Sequence, residues 1–500
     1  MHHICCTVRI ESEEGSVDRS WRAFARCWPT RHTRAVLVHH RRGARRADES
    51  TSPLDSIFPG TATAIASASV LFLLGFAYLR YAFEGWFFLD DFGYVDRFHS
   101  ALRLEELLHP VGFGRFLSTN VYWNLTWRVF GGEASLYFAC NLVIIVATAW
   151  IFAALVGDRY GRASALVAGL CYAALPNVIS AYGWISNAQH LVAHLFCAMF
   201  LYLYFRWSRN DVSGTSIAAL EAVLVAALLS NQLSSGLLIV PVVHLLADRD
   251  ARRQRRRRAF VVLMAATVFI LYLRTRGVAS GPYALDVTTK TMFDVVPVYF
   301  GEIWVFWLWI ATSLTGFAVA VWRRHDAVHA TLWLGGVAFV APFLFLKYQH
   351  YPQYASLGLA MFFMAVWISA YQLTCARAPK FLSVVMAVFV LAGGAWGLSM
   401  FSPMLEQPDG ARQREFVAQM AAINETAGPE ARHFCFDSER SAGAPRTDAE
   451  AIPYDWQGLG FGVAFHYFVD PSKTYEPMSA AAQCNRIIRF HGRTLTEGGA

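Results

Sequence analysis

Charge is what this 500-residue chain has little of: Asp, Glu, Lys and Arg together make up 16% of it, against roughly a quarter in soluble globular proteins. Hydrophobic residues make up 55% and aromatic residues 15%, which excludes an ordinary soluble domain and, still more firmly, a disordered chain. Cysteine is sparse as well. Nine cysteines in 500 residues exclude a disulfide-scaffold protein, and Cys140, Cys171 and Cys197 fall inside apolar runs, where a thiol serves as a small hydrophobe. There is no collagen-like period, no internal repeat and no low-complexity tract beyond one arginine run. Lys plus Arg number 43 and Asp plus Glu 36, a difference of +7. Nucleic acid would be the usual partner for such an excess if the basic residues shared a folded face. They lie instead in short loops between apolar runs, so the excess is topological and nucleic acid is not expected as a partner.

What the chain does have is a succession of apolar runs. Runs long enough to cross about 30 Å of hydrocarbon, about 20 residues each, begin near residues 61, 134, 163, 188, 217, 234, 259, 298, 329, 355 and 381. The expected fold is therefore an all-α polytopic membrane protein with about eleven transmembrane helices. The stretch from 217 to 247 is interrupted by Ser230, Asn231, Gln232, Ser234 and Ser235, and it is read as two helices. Basic residues then mark every second loop: Arg41 to Arg46, Arg159 and Arg162, Arg206 and Arg209, Arg249 to Arg258, Arg323 and Arg324, Arg377 and Lys380. By the positive-inside rule these loops are cytoplasmic, which places the N-terminus inside and, for an odd number of spans, the C-terminus outside. The run Arg255 to Arg258 reads as a topology anchor against anionic lipid.

Three regions follow. Residues 1–59, with ten Arg and seven Asp or Glu and no sustained periodicity, read as a disordered basic cytosolic arm or as translation from an upstream start codon; a secretory signal would need an apolar core and a small-residue cleavage site. Residues 60–401 form the transmembrane domain, with a large outer loop at 83–133 that carries two helix-like stretches and the interfacial aromatics Trp86, Phe87, Phe88, Trp123 and Trp127. Residues 402–500 read as a small α/β appendage on the periplasmic side: a helical patch at 412–426, strand-like runs at 433–436 and 486–490, and turns at Pro408-Asp409-Gly410 and Ala444-Pro445. Cys435 and Cys484 both fall there, as a disulfide or as two free thiols.

The sharpest local signal is Phe88-Leu89-Asp90-Asp91-Phe92-Gly93-Tyr94, two adjacent carboxylates just after the first span. Mutual repulsion and partial desolvation raise one pKa of such a pair and make a group able to take a proton from a hydroxyl near neutral pH. The alternative is that one of them caps the interfacial helix that follows. For a metal, Asp90, Asp91, His99, Glu105, Glu106 and His109 offer ligands in one loop without a diagnostic spacing, so a divalent cation, magnesium or manganese, stays open and unassigned. Arg274, Arg276 and Lys347 lie at outer ends of spans, against the positive-inside trend, either as phosphate ligands or as side chains that snorkel to headgroups. Asn124-Leu125-Thr126 fits a glycosylation sequon too short to carry weight.

The order of these features resembles the GT-C superfamily of integral-membrane glycosyltransferases, in the branch of the protein O-mannosyltransferases and aminoarabinose transferases. It rests on Asp90-Asp91 in a large first outer loop, Gly114-Arg115-Phe116-Leu117, a helix ending Val129-Phe130-Gly131-Gly132, Asn141-Leu142-Val143, Leu175-Pro176-Asn177 with Trp184-Ile185-Ser186-Asn187-Ala188-Gln189, and paired short helices over Ala226 to Pro241. The likeness covers residues 60–250, and beyond them matches chiefly in span count and outer tail. Asn231-Gln232 departs from it, standing where many relatives have Lys-Glu, so no charged role passes to these two positions.

What the resemblance implies is a glycosyltransferase of a bacterial inner membrane that moves a sugar from a polyprenyl-phosphate-linked donor to a glycan, lipid or protein acceptor on the periplasmic face. Asp90 and Asp91 would be base or metal-associated carboxylates. Donor phosphate would be met by Arg115, Arg274, Arg276, Lys347, His350 and Tyr351, the last three in a segment, Lys347 to Tyr354, similar to a family segment but without its arginine. The competing readings are a transporter or flippase for a lipid-linked saccharide, which calls for intramembrane charges and helices broken near the midplane, and a polysaccharide polymerase, which needs no first-loop carboxylate pair.

Overall fold

The structure is a computed structural model that describes residues 61–87, 90–98, 115–207, 214–247, 266, 288–300, 302–345, 352–374, 388, 392–393, 395, 399, 409–437, 459, 462–477, 484–491 and 494–498. These residues belong to one compact unit, Phe58–Ala500. The arm at 1–59, the basic run at 255–258 and nearly all of the expected spans near 259 and 381 lie outside the described residues.

Helix α1 (Thr61–Glu84) shows why the helices of this chain need lipid. Phe72, Phe76, Leu79 and Phe83 recur at i, i+4, i+7 and i+11 and are exposed, while Leu74, Ala77, Tyr78 and Ala82 are buried. Both faces are apolar: one packs inward, and the other would be an aggregation surface in water. The long helix α4 (Ala134–Tyr160) repeats the pattern with Val143, Val146 and Trp150 exposed. Among the described residues, five helical stretches are long and apolar enough to cross a membrane: Ala134–Tyr160, Ile185–Trp207, Ile303–Trp322, Ala327–Phe345 and Gln353–Gln372.

The count rises to six if a bent pair is taken as one span. The run expected near 163 forms α5 (Arg162–Ala173) and α6 (Pro176–Tyr182), bent by 51°. Pro176 causes the break: it holds Leu175 in an extended conformation, ψ 127°, and stands at the first position of α6. A break inside an apolar bundle strands backbone carbonyls, and these are met by tyrosines of α1. Tyr78 Oη donates to Ala173 O at 2.8 Å and Tyr81 Oη to Gly183 O at 2.7 Å, and Tyr182 Oη returns a bond to Tyr78 O at 2.7 Å.

The interrupted stretch at 217–247 is also divided. Helix α8 (Gly214–Ser230) ends at Asn231, a 3₁₀ turn runs over Gln232–Leu238, and α9 (Ile239–Ala247) completes it. Its apolar helices, Ile217–Ser230 and Leu233–Ala247, are shorter than a full crossing, as is Phe72–Phe83 within α1. Eleven spans are therefore more than the described residues contain as long apolar helices.

The bundle is completed by α7 (Ala188–Trp207), entered through a 3₁₀ turn at Ile185–Asn187, by α10 (Thr289–Phe300), α11 (Ile303–Val319) and α12 (Ala327–Ala338), and by α13 (Ser356–Thr374), preceded by a 3₁₀ turn at Pro352–Ala355. Helices α12 and α13 pack through glycine: a Cβ on Gly358 would lie 2.6 Å from Gly336 O. At the end of the bundle that holds the α4–α5 turn, Asp326 caps α12 by accepting from His329 N at 3.2 Å, and it also accepts from Tyr160 Oη at 3.0 Å with Arg159 Nε at 3.7 Å.

Residues expected in the outer loop form α2 (Asp90–Phe98) and a helix that begins as a π turn at Phe116–Val121 and continues as α3 (Tyr122–Phe130). The C-terminal appendage carries α14 (Asp409–Ala427), β1 (His433–Asp437), α15 (Val463–Phe468), β2 (Thr474–Pro477), β3 (Arg486–His491) and β4 (Thr494–Gly498), with sheet order β2-β1-β3-β4. Strand β1 pairs in parallel with β2 and β3, and β3 pairs antiparallel with β4. Cys435 on β1 and Cys484 just before β3 are joined in a disulfide. The appendage rests on α2: Phe468 packs against Trp86, Phe87 and Phe92, and Tyr467 Oη donates to Asp96 Oδ1 at 2.7 Å.

The disulfide closes a loop of sequence separation 49, for which chain-entropy reasoning gives about 4 kcal/mol. Reduction should therefore lower the unfolding midpoint of the appendage in calorimetry while the helical circular-dichroism signal of the bundle persists, and Cys435→Ala/Cys484→Ala should reproduce the shift without reductant.

Candidate functional site

Helix α2 opens with the two carboxylates, whose charge suits the positive end of the helix macrodipole. Their environments differ. Asp91 is fully buried, and its Oδ1 accepts from the backbone amide of Ser186 at 2.6 Å, in the 3₁₀ turn between the bent pair and α7. Asp90, one residue earlier, is exposed. Crowding by its neighbours nonetheless raises its carboxyl above the ordinary aspartate range, and the Arg115 guanidinium partly pulls it back down. Of the capping reading, this much is visible: both aspartates lie inside the first helical turn, and Asp91 reaches an amide 95 residues away in sequence.

Arg115 is 6% exposed, at the start of the π turn. Its carbonyl accepts from Thr119 N at 2.7 Å, and the turn is tied to the bundle by Ser118 Oγ, which donates to Ser230 O at the end of α8. The same end of the bundle holds polar side chains from four further segments. Asn231 Oδ1 accepts from Leu233 N at 3.1 Å, capping the 3₁₀ turn, and its Nδ2 lies 3.4 Å from His190 Nδ1. Gln353 Nε2 donates to Asn187 Oδ1 at 3.4 Å and Gln353 Oε1 accepts from Ser180 Oγ at 3.4 Å.

The two buried histidines of α7 play different parts. His194 lies between Tyr172 Oη, 3.0 Å from Nδ1, and Ser356 Oγ, 3.1 Å from Nε2, while Ser356 Oγ donates to Gln353 O at 2.6 Å. Donors and acceptors balance if Tyr172 donates to Nδ1 and Nε2–H donates to Ser356, so His194 is a satisfied neutral core histidine. His190 is 1% exposed, its ring lies tilted 5.0 Å from that of Tyr354, and its Nε2 finds no hydrogen-bond partner among the described residues. A buried ring nitrogen with unused capacity next to the field of Arg115 suits an oxygen-rich ligand.

Of the residues expected from sequence, the structure brings Asp90, Asp91 and Arg115 to one end of the bundle. Arg274, Arg276, Lys347, His350 and Tyr351 lie outside the described residues, as do the possible metal ligands His99, Glu105, Glu106 and His109. Among the described residues no group of three His, Cys, Asp or Glu is placed to hold a metal ion. His190, Gln353 and the capping role of Asn231 were missed. Their signal is faint but present: Asn187, His190 and His194 follow one another at i, i+3 and i+7, a polar face on an otherwise apolar helix.

The class defined by fold and site is a helical membrane protein with a cluster of buried polar groups at the end of the bundle next to a small mixed α/β appendage. No family model matches the chain, and it matches neither a curated protein nor a solved structure.

If the Ser186 hydrogen bond is what Asp91 supplies, Asp91→Asn keeps an acceptor oxygen and should unfold near the wild-type midpoint in detergent. Asp91→Ala strands a buried amide and should cost about 2–3 kcal/mol. Equal losses in both variants would assign the effect to charge.

Proposed function

We propose that the protein is a glycosyltransferase of the GT-C type that moves a sugar from a polyprenyl-phosphate donor to an acceptor hydroxyl at the outer face of a bacterial inner membrane. The observation that carries this reading is the division between the two carboxylates: one fixed on a backbone amide and one exposed beside a buried arginine. In this reading Asp91 is a positioning residue and Asp90 is the base. Asp90 takes the proton of the acceptor hydroxyl as its oxygen attacks the anomeric carbon from the face opposite the phosphate. The bond between the anomeric carbon and the phosphate oxygen breaks, the phosphate keeps the electron pair, and configuration inverts. Arg115 faces the charge that develops on the leaving phosphate, with His190 Nε2 beside it as a neutral partner. Arg274, Arg276, Lys347, His350 and Tyr351 remain the other proposed phosphate ligands, and a divalent cation, if used, would be held by Asp90 with residues of the same loop.

The disulfide supports an outer location for the appendage, since such bonds persist in oxidising compartments. The exposed apolar faces of α1 and α4 support membrane insertion. One observation favours the second reading, a transporter of a lipid-linked saccharide: the bent pair α5 and α6 is a broken helix of the kind transporters use. Transfer and translocation are separable in proteoliposomes, where only transfer forms a new glycosidic bond.

Asp90→Asn should lower transfer from a polyprenyl-phosphate sugar by on the order of a hundredfold at equal protein level, while Asp91→Asn should lower it far less. Wild-type rates in Asp90→Asn would remove the base assignment.

The pH profile carries a second expectation. The Arg115 cation lowers the Asp90 pKa, so Arg115→Gln lets the carboxyl rise further, and the acidic limb of the transfer profile should move to higher pH. A limb that stays in place would separate Arg115 from Asp90.

A further inference from the structure

The appendage and α2 enclose a cleft of about 370 Å³ lined by Asp96, His466, Tyr467, Ser472, Lys473 and Tyr475 among others. Its volume is at the lower end of small-molecule sites, roughly 300–1,000 Å³. The lining mixes hydroxyl, carboxylate, imidazole and ammonium groups with the aliphatic Val463 and Pro471. Asp96 accepts from Tyr467 Oη at 2.7 Å. Asp470, beside the cleft, accepts from Ser472 N at 2.9 Å and from Ser472 Oγ at 2.6 Å, bonds that hold its carboxyl below the usual range. Lys473 is 8% exposed, with Nζ 3.2 Å from Gly428 O and 3.9 Å from Asp470 Oδ2. Positive and negative groups are thus matched, and the lining does not select a ligand by net charge.

The decisive group is Tyr475. Its ring is stacked at 5.5 Å on Phe434, and the residue lines the cleft while only 8% exposed; its buried hydroxyl has no hydrogen-bond partner among the described residues. A buried hydroxyl left unsatisfied is costly unless something else meets it. Two tyrosines at the wall, a spread of neutral donors and acceptors, and a balanced charge are what a saccharide meets with its own hydroxyls and C–H faces.

We propose that this cleft binds a saccharide and, resting on the glycosyltransferase reading, that it seats the acceptor, making the acceptor a glycan. Asp96 follows Asp90 by six residues on α2, about 9 Å along the axis and a third of a turn around it. A glycan seated in the cleft runs along α2 toward Asp90, so the appendage and the carboxylate pair serve one acceptor.

The test uses the full chain in detergent and calorimetric binding of mannohexaose, maltohexaose, chitohexaose and arabinohexaose. At least one should bind, and Tyr475→Phe should weaken it about tenfold, as expected for the loss of one ligand hydrogen bond. Because the Tyr475 hydroxyl has no partner to lose among the described residues, the same variant should keep the wild-type thermal midpoint. Asp96→Asn, which still accepts from Tyr467, should weaken binding as well. If none of the four binds, or if the bound saccharide keeps its affinity in both variants, the cleft is not a saccharide site. Binding does not depend on transfer, so a chain that binds but forms no glycosidic bond overturns the glycosyltransferase reading alone, and one that transfers sugar but fails this test overturns the cleft alone.

Discussion

Everything at the polar end of this bundle depends on one constraint: a helix broken inside an apolar environment must find partners for the backbone groups it frees. Pro176 breaks the α5–α6 pair, and the carbonyls of Ala173 and Gly183 are taken by Tyr78 and Tyr81 of α1. The chain then turns through Trp184 to Asn187, and the amide of Ser186 is taken by Asp91. Each of these bonds joins segments about a hundred residues apart, so the break is also what locks α1, α2 and α7 to one another. A straight helix in place of α5 and α6 would satisfy itself and leave Asp91 buried without that amide.

Adjacent carboxylates are alike in sequence, and the fold makes them unlike. Desolvation with a committed backbone donor fixes Asp91, while exposure with a nearby guanidinium leaves Asp90 free to exchange a proton with whatever approaches. The same separation runs through the two histidines one turn apart on α7, where His194 is satisfied on both ring nitrogens and His190 on one. Buried polar groups that complete a network rigidify the bundle; those left incomplete mark where a ligand is expected.

How much of this was legible in the sequence depends on the range of the interaction. Charges that stand in an apolar chain are visible locally, so Asp90, Asp91 and Arg115 could be singled out by type and position. The break at Asn231 was visible from polar residues interrupting an apolar stretch, and β1 and β3 of the appendage from their apolar and aromatic runs, whereas β2 and β4 were not. By contrast Gln353 meets Asn187 across 166 residues, and Asn231 meets His190 across 41; such pairs are made by helix packing and have no local signature. The bend at Pro176 was hidden because a proline after an apolar run also fits a loop. The pairing of Cys435 with Cys484 became decidable only once β1 and β3 were neighbours, with Phe434 opposite Arg486.

The function proposed for the polar end of the bundle is group transfer from a lipid-linked sugar. The most direct measurement reconstitutes the purified full chain in liposomes with radiolabelled polyprenyl-phosphate sugar, or with the same sugar as a nucleotide conjugate, and follows label into a glycan acceptor. The proposed transferase should form a new glycosidic bond from the polyprenyl-linked donor and none from the nucleotide sugar. Label that crosses the bilayer still attached to its polyprenyl phosphate, with no glycoside formed, would contradict it.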